Sequence, residues 1–286
     1  MPDEAEKKDF SFPHELLARL MEVSHNNKWI NKRRQEVQAL FKNCNNTDEA
    51  SLIMHTLELF QYIDGDKLEE ALKKITDIIV NDWKLGPNDT RIVCKDIEGR
   101  TDSSAALQQM IKSNFSHYDG WSTNGNFPSN LEKILSNQSV LNVVLVDDFS
   151  GTGTSLQKLC IWIAEKCEAL RRPPVNVYAT FVAAMEATLT ATYHQNLKNL
   201  YHFMEAKKAI SIHFPNNGEV EKAHMINFER NYGNIGRTYS LGYRKSEAIF
   251  HAQNLNTPNN VLPIFWQKGS NTTPMFPRLG KNNEKK

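Results

Sequence analysis

The segment Val143–Ser155, reading VVLVDDFSGTGTS, constrains the fold of this chain more than any other stretch. The largely apolar run Val140–Val146 leading into it fits a central strand buried on both faces, as in a parallel sheet covered by helices. Such a strand delivers Asp147 and Asp148 to its carboxyl end, where open α/β sheets bind ligands. Ser150, Gly151, Thr152, Gly153, Thr154 and Ser155 follow, all small and mostly hydroxylated, and a helix is predicted from Thr154 to Ala169. Glycines let backbone amides approach an anion closely, and hydroxyls add hydrogen bonds to its oxygens. The helix aims its free amides and positive dipole end at the same point, so a phosphate monoester is the natural occupant. Two adjacent acids would repel that phosphate; they suit a neighbouring sugar, accepting hydrogen bonds from vicinal hydroxyls.

Other phosphate motifs fail on details. A Walker A loop needs a lysine before its Ser/Thr, and here Gly153 precedes Thr154. A dinucleotide fingerprint needs a third glycine, and Gly151-Thr152-Gly153 continues as Thr154-Ser155-Leu156. A strand-to-helix turn with nothing bound is the plain alternative, and the paired acids weigh against it.

Around this loop the chain changes period twice. Residues 12–86 read as helical: Leu16, Leu17, Leu20 and Met21 share a spacing, as do Leu52, Ile53, Leu57 and Phe60, and then Leu68, Leu72, Ile75, Ile79 and Trp83, the last helix opened by Asp66 with Glu69 three residues on. Between 90 and 214 strands and helices alternate. The strands are Arg91–Cys94, Ser139–Phe149, Val175–Ala184 and Ala209–Phe214; the helices are Asp102–Ser113, Thr154–Ala169 and Met185–Leu200. That alternation predicts βαβ units: an α/β fold with an open, mainly parallel sheet and helices on both faces. Residues 215–279 are turn-rich, and Tyr239, Tyr243, Phe250, Phe265 and Trp266 predict a compact cap. The expected organisation is a helical region over 1–88, a core over 89–214, and a carboxy-terminal cap and tail over 215–286.

Composition excludes some function classes. With 34 Lys+Arg against 33 Asp+Glu, the net charge of +1 gives no argument for a nucleic-acid or membrane surface. The cluster Lys28, Lys32, Arg33 and Arg34 could contact phosphates, though a solvated helix face is the favoured reading. Cys44, Cys94, Cys160 and Cys167 are scattered without a CxxC pair, which argues against zinc and against a disulfide framework; Cys94 and Cys160 are expected to pack as small apolar groups. The polar opening MPDEAEKKDF and the lack of a long apolar run predict a cytoplasmic protein with no membrane partner.

Four apolar residues, two acids, two further positions and then Gly-Thr-Gly-Thr-Ser resemble the ribose-phosphate signature of type I phosphoribosyltransferases. The resemblance implies that Asp147 and Asp148 hold the 2′ and 3′ hydroxyls of phosphoribosyl pyrophosphate or of a nucleotide, while Ser150–Ser155 hold the 5′-phosphate. It implies Mg²⁺ carried mainly by the substrate's own oxygens, with no direct protein ligand. The family's diphosphate loop maps to Asp96–Thr101, where Gly99 opens the backbone, Thr101 adds a hydroxyl and Arg100 offers a planar fork, with Lys95 a second cation; a solvated turn is the competing reading there. Its mobile catalytic loop maps by order to about Phe115–Asn130, with His117 a weak acid/base candidate.

The tail block Leu241-Gly242-Tyr243 … Thr257-Pro258-Asn259-Asn260-Val261-Leu262-Pro263-Ile264-Phe265-Trp266, with Pro274–Arg278, resembles a bacterial group of phosphoribosyltransferase-like antiphage effectors, some associated with retrons. That resemblance implies a defence role, a reverse transcriptase with its RNA–DNA product and other defence proteins as partners, and leaves homo-oligomerisation open. It also makes Asn259, Asn260 and Arg278 candidates for a hood recognising a base, against an Asx-type turn and simple packing. Glycosyl transfer or cleavage at C1 is the leading activity. A non-catalytic nucleotide sensor and a structural subunit of a nucleoprotein complex are the alternatives.

Overall fold

In the computed structural model, residues 12–94, 104–121, 124–128, 130–233, 235–270 and 272–278 are described. In chain order the elements are α1 (His14–Asn26), α2 (Lys28–Lys32), α3 (Arg34–Lys42), α4 (Thr47–Glu58), β1 (Gln61–Ile63), α5 (Gly65–Asp77), β2 (Thr90–Val93), α6 (Ser104–Asn114), α7 (Leu131–Ser136), β3 (Asn142–Ser150), α8 (Thr154–Ala169), β4 (Asn176–Met185), α9 (Glu186–Leu189), β5 (Leu197–Ala206), α10 (Gly218–Gly233) and β6 (Phe250–Ala252). They divide into two compact units. The first gathers the described residues of Met1–Tyr62, Lys207–His251 and Asn256–Lys286; the second comprises Ile63–Ala206 and Ala252–Leu255.

The second unit is built on four parallel strands in the order β2-β3-β4-β5. β3 is internal, and Val143, Val144, Leu145 and Val146 are all buried, which is why its sequence is apolar without alternation. Side chains alternate across the sheet, so Val143, Leu145, Val177, Ala179 and Phe181 share one face and pack with Leu156, Leu159, Cys160 and Ile163 of α8 and Ile134 and Leu135 of α7. On the other side α5 packs against β4 and β5, and α6 against β3, while Trp83 lies 5.1 Å from Tyr178. This is an α/β parallel sheet with helices on both faces. Helix α5, which the sequence groups with the amino-terminal helices, belongs to this unit. Its N-cap is Asp64, whose carboxylate accepts the Lys67 N–H at 3.0 Å, and not Asp66.

Two expected elements differ. The stretch Met185–Leu200, read as a helix, is the four-residue α9, a turn, and then the outer strand β5. Thr188, Thr190 and Thr192 alternate there, and β-branched residues in succession lower helix propensity. The expected strand Ala209–Phe214 is a turn instead: Ile210 and Ser211 donate their N–H groups to the buried Glu247 carboxylate at 3.2 and 2.7 Å, and Ile210 O accepts from His213 and Phe214. A side-chain acceptor there takes the place of a sheet ladder.

In the first unit, Trp29, Phe60, Phe265 and Phe276 are buried together, with Phe60 and Phe265 centroids 4.7 Å apart. The amino-terminal helices and the carboxy-terminal segment therefore share one core. The turn-rich tail also contains a sixteen-residue helix, α10, that the sequence reading passed over. Its buried residues Met225, Phe228, Glu229 and Tyr232 recur at i, i+3, i+4 and i+7. Leu17 and Met21, which share the helical spacing, are 47% and 67% exposed; Leu16 and Val23 are the buried residues of α1. No helix among the described residues is long and apolar enough to cross a membrane.

Candidate functional site

The site forms where β3 runs into α8. The strand continues three residues past Asp147, through Ser150, so the paired acids are strand residues rather than loop residues. Successive strand positions aim to opposite faces. Asp147 stands in register with Phe181 on the α8 face and is exposed, whereas Asp148 turns to the other face and is 7% exposed. The Asp148 N–H donates to Asp147 Oδ1 at 2.9 Å, which orients the exposed carboxylate. The two acids, expected to serve one sugar together, are thus placed in different environments. Asp147 also lies close enough to raise the Cys94 thiol further, on top of the burial that pushes it well above its ordinary value.

Gly153 makes the turn. Its φ of +70° and ψ of −6° are left-handed, and it sits at the N-cap of α8 without a side-chain cap. Gly153 offers no side-chain cap to this sixteen-residue helix, and its first turn carries no acid. Thr152 and Thr154 share a hydroxyl–hydroxyl bond of 3.0 Å, and Ser155 is exposed. Ser150 differs: its hydroxyl is buried and bonded to Thr188 Oγ1 at 2.9 Å, which makes it a strut beneath the loop.

That strut belongs to a buttress outside the motif. Tyr193 donates its hydroxyl to Thr188 O at 2.8 Å, and a Cβ at Gly153 would lie 2.3 Å from the same Tyr193 oxygen. Burial, with the nearby Cys160, pushes the Tyr193 phenol up to about 12, so it stays a neutral donor. Further along, His194 N–H donates to Gln157 Oε1 at 2.9 Å, and Asn196 Nδ2 donates to Cys160 O at 2.9 Å, tying the segment to α8. Sequence reasoning missed Thr188 and Tyr193 because it placed them in a helix; the alternating threonines were the signal.

The diphosphate candidates Lys95, Gly99, Arg100 and Thr101 lie outside the described residues. Cys94, the last described residue before them, adjoins Asp147. In the stretch Phe115–Asn130, Phe115 and Trp121 are buried with centroids 4.8 Å apart, Asn126 donates to Pro87 O and Thr90 O, and His117 is exposed. In the first unit, Asn259 O accepts from Tyr243 N–H, Asn260 O accepts from Ala248 N–H, and Arg278 Nη1 donates to Thr257 O at 2.9 Å. These contacts fold the tail on itself. All four cysteines are buried and unpaired by disulfides. Burial pushes the Cys160 thiol up to about 12.

A parallel sheet flanked by helices, with paired acids on the strand that feeds a glycine turn and an uncapped helix, defines a type I phosphoribosyltransferase-like α/β protein. The family model PRTase-CE matches residues 27–278, and the chain belongs to that phosphoribosyltransferase-like family. Searches against curated proteins and against solved structures return no match.

Proposed function

We propose that the β3–α8 junction binds the ribose 5-phosphate moiety of phosphoribosyl pyrophosphate or of a nucleotide, and that the protein transfers or cleaves the bond at C1. The observation that carries this reading is the left-handed Gly153 turn at the amino-terminal end of α8, with the exposed Asp147 on the same sheet face. In this assignment the amides and hydroxyls of Gly151–Ser155 take the 5′-phosphate, and Asp147 accepts from the ribose hydroxyls. Asp148, buried beneath, positions the strand and the second hydroxyl. Arg100, Gly99 and Thr101 take the diphosphate, where a planar cation neutralises charge developing on the leaving group. Among the described residues no group of three or more His, Cys, Asp or Glu forms a metal cage. In this reading Mg²⁺ is brought by the substrate's own diphosphate oxygens. The ion would supply charge neutralisation at the leaving group.

For the biological role, the resemblance of the tail supports an effector of a bacterial antiphage system of retron type, acting in the cytoplasm alongside a reverse transcriptase and its RNA–DNA product. Isothermal titration with phosphoribosyl pyrophosphate and Mg²⁺ tests the ligand. Saturable binding, weakened at least about tenfold by Asp147→Asn, is expected from the loss of charge-assisted hydrogen bonds. No binding by the folded wild-type chain refutes the assignment. Release of a free base or pyrophosphate on incubation separates an enzyme from a sensor.

A further inference from the structure

We propose that the second unit carries another anion site, at the amino-terminal end of its sheet, for a small phosphate-bearing ligand. A cleft of about 390 Å³ opens there, and Arg91, Asn130, Lys133, Ile134, Asn137 and Val140 are among its walls. Its volume falls within the range of small-molecule sites, roughly 300–1,000 Å³. Arg91 is the second residue of β2 and Val140 precedes β3, so the cleft lies on the order of 15–20 Å along the strands from Asp147, at about 3.3 Å of rise per residue. The two sites share no residue.

The polar lining consists of donors. Arg91 Nη1 is held by Thr90 O at 2.8 Å and Pro87 O at 3.2 Å, which leaves Nε and Nη2 without a partner among the described residues. Lys133 is exposed and has no ion pair among the described residues. Asn130 Oδ1 already accepts the Lys133 N–H at 2.9 Å, and Asn137 Oδ1 accepts the Ser139 N–H and hydroxyl at 3.0 and 2.8 Å. Neither NH₂ has a hydrogen-bond partner among the described residues. Ile134 and Val140, both buried, give the cleft an apolar base, and none of its described lining residues is acidic.

Behind the wall sits an unneutralised charge. The Arg172 guanidinium, 6% exposed, donates to Leu135 O at 2.7 Å, Asn137 O at 2.9 Å, Pro173 O at 3.2 Å and Val140 O. All its described partners are carbonyls. A buried cation is ordinarily balanced by an anion. Here Asn137 and Val140, which it grips, are the residues that wall the cleft. Three positive charges and two amide donors, with no carboxylate among the described lining residues, call for an acceptor-rich oxyanion, and phosphate or diphosphate matches the Arg91 fork. Strand β3 connects this cleft directly to the acids of the ribose-phosphate site, which suits an effector rather than a second substrate.

Inorganic pyrophosphate and adenosine monophosphate are the probes, applied without Mg²⁺ to the full chain. Amine acylation of Lys133, followed by mass spectrometry, reads occupancy at this site without involving the β3–α8 loop. Saturable protection of Lys133 by either probe is expected, and Lys133→Met, a change at an exposed side chain, should weaken the calorimetric affinity of this phase by about tenfold. Protection by pyrophosphate and the monophosphate alike assigns the phosphate as the recognised group, while protection by the monophosphate alone adds the base. Absence of saturable protection by both, or an affinity in Lys133→Met within about threefold of the parent, overturns the proposal.

Discussion

Replacing Gly153 by alanine tests the geometry on which the ribose-phosphate site rests. The residue holds φ at +70°, and a left-handed conformation costs an L-residue with a Cβ about 1–2 kcal/mol. The new methyl would also lie 2.3 Å from Tyr193 Oη, 3.2 Å from its Cζ and 3.4 Å from Thr188 Cα. The phenol is the movable partner, and moving it breaks the 2.8 Å bond to Thr188 O, worth about 0.5–1.5 kcal/mol. Together the two effects predict a destabilisation of about 2–3 kcal/mol, read as a lowered urea midpoint at unchanged slope. The steric part has its own signature. Tyr193→Phe loses the same bond but removes the clashing oxygen, so Gly153→Ala in the Tyr193→Phe background should cost about 1 kcal/mol less than in the parent. Additivity within about 0.5 kcal/mol would refute the contact, and a loss below about 1 kcal/mol in Gly153→Ala alone would refute the backbone argument. In parallel, the alanine variant should lose affinity for phosphoribosyl pyrophosphate, because the displaced turn carries the amides aimed at the phosphate.

Other perturbations follow from buried charges. Arg172→Met leaves the carbonyls of Leu135, Asn137 and Val140 without their donor, and should destabilise the second unit by about 3–5 kcal/mol in urea unfolding; a loss under about 1 kcal/mol would show that water replaces the guanidinium. In the first unit two groups titrate in opposition. Burial and the nearby Arg33 push His251 down to about 4 from 6.5, so its contribution is full above about 6.5 and is lost as pH falls towards 4. Burial pushes Glu229 up to about 7 from 4.5, against hydrogen bonds from Ser240 and Leu241, so its contribution is full below about 4.5 and is lost as pH rises through 7. The wild type should therefore show a shallow stability profile between about pH 4.5 and 6.5. Chemical denaturation of Glu229→Gln should expose a profile rising with pH, and His251→Asn one falling with pH; parallel profiles for both variants would refute the assignment. Finally, Thr188→Val removes the Ser150 hydroxyl's partner at 2.9 Å, and is expected to cost about 1 kcal/mol and to loosen the loop's amide exchange.

The sequence alone determined the elements whose local chemistry agrees with their environment. The Val143–Val146 run announces a strand buried on both faces because that is what a central parallel strand is, and the Gly151–Ser155 composition announces a turn with amides to spare. Helix α8 begins and ends where its sequence places it, from Thr154 to Ala169, because the αL glycine starts it and Arg171-Arg172-Pro173-Pro174 stops it. Tertiary structure decided the rest. Leu197–Ala206 became a strand because β4 offered it an unpaired edge, and a periodicity read within one segment cannot register a partner from another. Ile210 and Ser211 turned away from strand geometry because the Glu247 carboxylate, far along the chain, captures their N–H groups. The separation of Asp147 from Asp148 was implicit in strand alternation, yet it needed the strand to be seen continuing to Ser150. The buttress of Thr188 and Tyr193 under Gly153, and the donor-lined cleft braced by Arg172, each join segments more than thirty residues apart. Such juxtapositions come from packing, and no local pattern of residues encodes them.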